Sequence, residues 1–149
     1  IIMSDETMQA AMDQAYRFLA QRFLSSYELT QKMRRKQIED PIIERVLERL
    51  RDYDYINDER LSEQVLTYLM KEQKYGAYMI KQKMKLRGLT VPQEISNYDE
   101  VKAAYRVVGK KFGSILNEEH TPRVKVFNFL KYRGFSTSTI QVVCNDFYE

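Results

Sequence analysis

Nucleophilic catalysis needs a nucleophile with a base beside it, and this chain offers one cysteine, Cys144, and one histidine, His120. Cys144 shares helical spacing with Val143 and Phe147, which makes it a small core residue, while His120 sits in a polar stretch beside Glu118 and Glu119. One Cys and one His cannot assemble a structural zinc site, and no glycine-rich phosphate loop occurs. Neither enzymatic chemistry, a metal nor a cofactor is expected. The remaining candidates are cations. Lys71, Lys74, Lys81, Lys83, Lys85 and Arg87 run together, with Lys81 and Lys85 one helical turn apart on the side away from Ile80 and Met84. Phosphate contacts need such a face, and Tyr75 and Tyr78 are placed to stack on a base or a partner side chain. Lys102, Arg106 and Lys110 follow at spacing four, with Lys111 beside them, and form a stripe along one helix. Lys32, Arg34, Arg35 and Lys36 spread around theirs. A solvated helix face produces the same patterns, so both readings stay open, and Arg87 also suits a helix terminus.

The charge is segregated along the chain. Between Glu39 and Glu63 there are nine acidic and four basic residues; between Lys102 and Arg133 there are eight basic and two acidic. A stripe with so few neutralising acids repels itself, which favours an anionic partner such as nucleic acid or a nucleoprotein. Asp52, Asp54, Asp58, Glu59 and Glu63 form an acidic patch. Its simplest explanation is that a helix start favours negative charge.

These side chains must be carried by helices. The 149 residues include three Pro and five Gly, with 44% hydrophobic and 30% charged residues, a balance that supports a core and excludes disorder. A lone cysteine fits a reducing compartment, and no apolar run reaches the about 18 residues needed to cross a bilayer. The chain opens on Ile1, which suggests residues upstream.

Comparing the sequence with itself exposes a repeat. Leu29, Met33, Lys36, Gln37 and Ile38 correspond to Ile80, Met84, Arg87, Gly88 and Leu89, and again to Val126, Leu130, Arg133, Gly134 and Phe135, at spacings of 51 and 46 residues. Aliphatics four apart share a helix face, the cation suits the carbonyl-rich end, and glycine takes the left-handed turn that closes the helix. Gln37 breaks that rule, so its helix should end differently or under strain. A helix is expected before each signature, on Met8, Met12, Ala15, Leu19 and Phe23, on Leu61, Val65 and Leu69, and on Val101, Tyr105, Val108 and Phe112. Another should follow each: from Asp40–Pro41, weakly over Val91, Pro92 and Ile95, and from Ser136. Ser25 with Glu28 reads as a capping box. The expectation is an all-α chain of nine helices in three tandem three-helix repeats, 1–52, 53–98 and 99–149, stacked into an elongated, curved body. The clearest long loop should run from Gly113 to Thr121.

The middle repeat carries a resemblance. Tyr55-Ile56-Asn57-Asp58-Glu59-Arg60-Leu61, then Lys74-Tyr75-Gly76, then Ile80 and Lys83-Met84-Lys85-Leu86-Arg87-Gly88-Leu89 resemble the central signature of RecX regulatory proteins. Residues 15–50 and Lys131-Tyr132-Arg133-Gly134-Phe135-Ser136 resemble the family's first and last repeats. Asn57, Leu61 and Ala77 depart from the usual Asp, Phe and Pro. The resemblance implies a cytoplasmic bacterial regulator, not an enzyme, that binds RecA and its filament on single-stranded DNA. It further implies inhibition of recombinase, ATPase and co-protease activities, and so a role in DNA repair, recombination and the SOS response. A monomer is expected, with no membrane. Some members also bind DNA directly, so a helical module that binds DNA without RecA is the alternative, and a scaffold for another protein is a third.

Overall fold

A computed structural model describes residues 4–113 and 119–149. The described residues form eight α-helices and no strand: α1 Asp5–Leu19, α2 Ser26–Arg35, α3 Asp40–Asp52, α4 Asp58–Glu72, α5 Ala77–Leu86, α6 Glu100–Phe112, α7 Arg123–Tyr132 and α8 Thr137–Tyr148. None is long and apolar enough to cross a membrane. They form two compact units, one running to Glu63 and taking in Leu86–Thr90, the other comprising Gln64–Lys85 and Val91–Glu149.

The helix starts follow local chemistry. The Ser25 hydroxyl accepts from the Glu28 amide while the Glu28 carboxylate accepts from the Ser25 amide, completing the capping box that opens α2. Ser136 caps α8 through the Thr139 amide, Asn57 Oδ1 accepts from the Arg60 amide at the start of α4, and Pro41 lies in the first turn of α3. Each removes an orphan donor that a helix start exposes.

In the first unit the core comprises Met8, Ala11, Met12 and Ala15 of α1, Leu29 and Met33 of α2, and Ile42, Ile43, Val46, Leu47 and Leu50 of α3. The first helix ends at Leu19, short of the expected stripe, and leaves Phe23 75% exposed. The second unit buries Ala103, Ala104, Val107 and Val108 of α6, Val126 and Leu130 of α7, and Ile140, Val143 and Cys144 of α8 around Phe135. The α6 face is therefore rotated from the expected Val101–Tyr105–Val108–Phe112 stripe. Two alanines admit close helix packing, and Tyr105 and Phe112 move to the edge, where they meet Phe147 and Phe129 edge-on. Residues 91–98 contain no helix. Pro92 and the left-handed Asn97 (φ 60°) leave too few residues between them to nucleate one. Of the expected long loop, residues 114–118 lie outside the described residues.

The three signature turns share one backbone. Gln37, Gly88 and Gly134 are all left-handed, at φ 62°, 71° and 84°. After α2 the Gln37 amide donates to the Arg34 carbonyl and Ile38 to Met33; after α7 Gly134 donates to Lys131 and Phe135 to Leu130. Gln37 thus keeps the geometry and bears the steric strain of a Cβ in that region.

Each unit also contains the same joint between a signature helix start and a later signature turn. In the first unit Arg87 donates to the Phe23 carbonyl, the Ser25 hydroxyl donates to the Arg87 carbonyl, and the Ser26 amide donates to Asp58. In the second, Arg133 donates to the Lys74 carbonyl, the Gly76 amide to the Arg133 carbonyl, and the Ala77 amide to Glu100. Phe23, Ser25 and Ser26 precede Lys74, Gly76 and Ala77 by 51 residues, and Arg87 precedes Arg133 by 46. These are the offsets of the sequence repeat. The joint explains the glycines better than φ does. A Cβ on Gly134 would meet the Met79 amide nitrogen at 2.5 Å, and one on Gly88 would press into the Tyr27 side chain.

Candidate functional site

The site lies in the second unit, where α4 ends. A helix C-terminus leaves carbonyls without partners and a partial negative charge. Gln73 turns left-handed (φ 53°) to close α4, and two arginines then hold the turn. Arg106 of α6 donates to the Glu72 carbonyl at 2.8 Å, and Arg133, just past α7, donates to the Lys74 carbonyl at 3.3 Å. The Tyr98 hydroxyl donates to the Tyr75 carbonyl. Burial, with Glu100 nearby, pushes that hydroxyl's pKa up to about 12, so it stays a donor. The turn carrying Lys74 and Tyr75 is thereby anchored at three carbonyls, those of Glu72, Lys74 and Tyr75.

These residues frame a cavity of about 360 Å³ lined by Lys74, Tyr75, Arg106, Val107, Lys110, Lys111, Phe129 and Arg133. Five of the eight are cations, and among the described residues no carboxylate lines it. The Arg133 guanidinium stands 5.0 Å from the Phe129 ring centre and 5.9 Å from that of Tyr75, and Lys83 Nζ is 4.5 Å from Tyr75. Aromatic faces attract cations and fix their positions. Beside the cavity Glu72 pairs with Lys74 at 3.0 Å and accepts from the Tyr68 hydroxyl. The Lys74 hydrogen bond holds the Glu72 carboxyl below the usual carboxylate value and, reciprocally, raises the Lys74 ammonium.

Lys74, Tyr75, Arg106, Lys110 and Lys111 therefore converge from separate stretches of sequence. Lys83 reaches the same place through the Tyr75 ring. Lys81 donates instead to the Gln93 carbonyl, while Lys71, Lys85 and Lys102 are exposed and do not line the cavity. Phe129 and Arg133 also line the cavity and are not among the residues that the charge runs single out. Arg133 carried a signal, since it is the cation of the third signature, but spacing alone points that cation at its own helix end. Arg87 at the matching position lies outside the cavity: it makes a two-pronged ion pair with Glu28, 3.0 Å at each contact.

The first unit has a larger depression, about 520 Å³, lined by Arg22, Leu24, Tyr27, Glu28, Gln31, Lys32, Arg35 and Leu86. Its charge is mixed, and Arg34 of the same basic run pairs with Asp40. In the acidic patch, Asp58 accepts from the Ser26 amide and Asp54 pairs with Arg60. Cys144 is buried in the core, and desolvation raises its thiol pKa, the opposite of what activates a nucleophile.

Residues 11–50 match the first three-helix domain of RecX, and residues 98–144 match its third. The regulatory protein RecX of Acinetobacter baylyi is 30% identical over 129 residues, covering 85% of this chain and 80% of its own length. That of Chlorobium phaeobacteroides is 27% identical over 142 residues, covering 93% and 94%. The crystal structure of RecX from Lactobacillus salivarius superimposes with a TM-score of 0.71 at 19% identity, over 94% of this chain and 96% of that one. A second crystal structure, of a regulatory protein RecX, gives 0.73 at 15%, over 93% and 73%. At those identities the superpositions speak for the all-α repeat fold, while the sequence matches speak for descent. The chain belongs to the RecX family of regulatory proteins.

Proposed function

We propose that this chain regulates RecA: it binds RecA and its filament on single-stranded DNA and lowers recombinase, ATPase and co-protease activity, modulating DNA repair, recombination and the SOS response. The observation that carries the reading is family membership, with matches at both ends of the chain. The five-cation cavity supports it, because a nucleoprotein filament presents anionic backbone to any protein that approaches its DNA. On this reading the chain acts as a monomer in the cytoplasm, through repeats 1–52, 53–98 and 99–149, by binding and not by catalysis. The test is DNA-stimulated ATP hydrolysis by RecA with the chain added at substoichiometric amounts. Hydrolysis should fall; unchanged hydrolysis and unchanged strand exchange would refute the reading.

The same cavity favours one second reading, a helical module that binds DNA without RecA. It predicts tight binding that weakens steeply as salt rises, with no effect on RecA beyond competition for DNA.

A further inference from the structure

We infer that the cavity of the second unit receives the sugar–phosphate backbone of a single nucleic-acid strand, with one phosphodiester seated among Arg106, Lys110, Lys111 and Arg133. The inference deepens the regulatory reading and rests on it for its setting, but it concerns which component of the filament this site touches.

Three observations carry it. First, the charge is one-sided: five cations line the cavity with no carboxylate among the described residues, and Glu72 beside it is engaged by Lys74. Second, the two arginines are held before any ligand arrives. Arg106 and Arg133 are each tethered to a backbone carbonyl, and Arg133 also lies against Phe129 and Tyr75. A tethered guanidinium loses less freedom on binding and keeps other N–H groups for phosphate oxygens. Third, the cations line a concave space of about 360 Å³ that Val107 and Phe129 also line. A flexible strand can bend a phosphate into such a recess, with its sugar or base against the aromatic wall. A duplex is too stiff to bend one phosphate in this way and should fit less well.

Lys74 gives the site an adjustable edge. Its ammonium rests on Glu72, and an arriving phosphate competes for it. Glu72→Gln should therefore strengthen binding, an effect that general damage to the fold does not produce.

The test uses the full chain without RecA and reads the anisotropy of a labelled oligothymidylate across a salt series. The Lys110→Gln/Lys111→Gln double variant should bind about tenfold more weakly, and its log–log salt slope should flatten by about 0.7 for each lost phosphate contact. Glu72→Gln should bind about threefold more tightly. Lys131→Gln, an exposed control outside the cavity, should leave affinity unchanged. A duplex of equal length should bind more weakly than the single strand. The proposal is overturned if the double variant keeps wild-type affinity and slope, if Glu72→Gln weakens or leaves binding unchanged, or if the duplex binds as tightly. RecA inhibition measured on the same variants separates the two readings. Inhibition lost with oligonucleotide binding intact would assign the cavity to protein and overturn this inference alone. No inhibition by the wild-type chain, with the oligonucleotide results as expected, would overturn the regulatory reading alone.

Discussion

Arg87 and Arg133 occupy one position of the repeat but face different surroundings. Arg87 is folded against Glu28 and the Phe23 carbonyl, with its side chain 22% exposed. Arg87→Gln would leave a largely covered carboxylate with only the Ser25 amide and a more distant Arg22, and should cost about 1–3 kcal/mol in denaturant unfolding, with oligonucleotide affinity unchanged. Glu100 is the carboxylate anchor of the other joint, in the place that Asp58 holds in the first. It accepts from the amides of Ala77 and Ser136 at 2.7 and 3.0 Å. Burial alone would raise its pKa, but those amides and the neighbouring hydroxyls outweigh burial, and the carboxyl titrates below its ordinary 4.5. Glu28 is lowered likewise, by Arg87 and the Ser25 amide against burial. A carboxyl depressed in the folded state contributes stability above its unfolded value, and the contribution is lost as pH falls through the lower folded value. Glu100→Gln should therefore lower stability by about 1–3 kcal/mol at neutral pH. The gap from wild type should narrow once the pH drops below about 4.5. Thermal unfolding across that range is the measurement, and a gap independent of pH would contradict the account.

At the scale of elements, what could be read from sequence was what depends on near neighbours. The capping box at Ser25–Glu28, the Ser136 cap and the α3 stripe all depend on residues within a few positions, and each is present. The α6 face was misjudged because large residues outrank alanine in any hydrophobic stripe, whereas close helix packing selects the small side. The same limit applies to the signature glycines. Spacing suggests they are there for a left-handed turn, yet Gln37 adopts that turn too, on an exposed surface. Gln37 is exposed, whereas Met79 is pressed against Gly134. Two substitutions separate backbone from packing. Gln37→Gly should raise stability by about 0.5–1 kcal/mol by relieving the strained φ, net of the entropy glycine loses on folding. Gly134→Ala should cost more than the φ penalty alone, about 2–4 kcal/mol, because its Cβ meets backbone that cannot give way. Equal and small effects in chemical denaturation would mean that conformation, not contact, selects the glycine.

Across the whole molecule, the candidate site is built from cations that lie far apart in sequence. Lys74 and Lys110 belong to different runs, and Arg133 to a third, yet all three line one cavity. The charge pattern along the sequence suggests an anionic partner, but only the fold says which cations converge and which, like Lys81, are turned to a backbone carbonyl. Family membership then supplies the context in which such a cavity would work. The most direct check of the regulatory account is to sediment RecA filaments assembled on single-stranded DNA with the chain present, and to measure how much travels with them. Saturable co-sedimentation beyond what the bare DNA retains is the predicted result. A chain that stays in the supernatant, or that pellets equally with bare DNA, would contradict it.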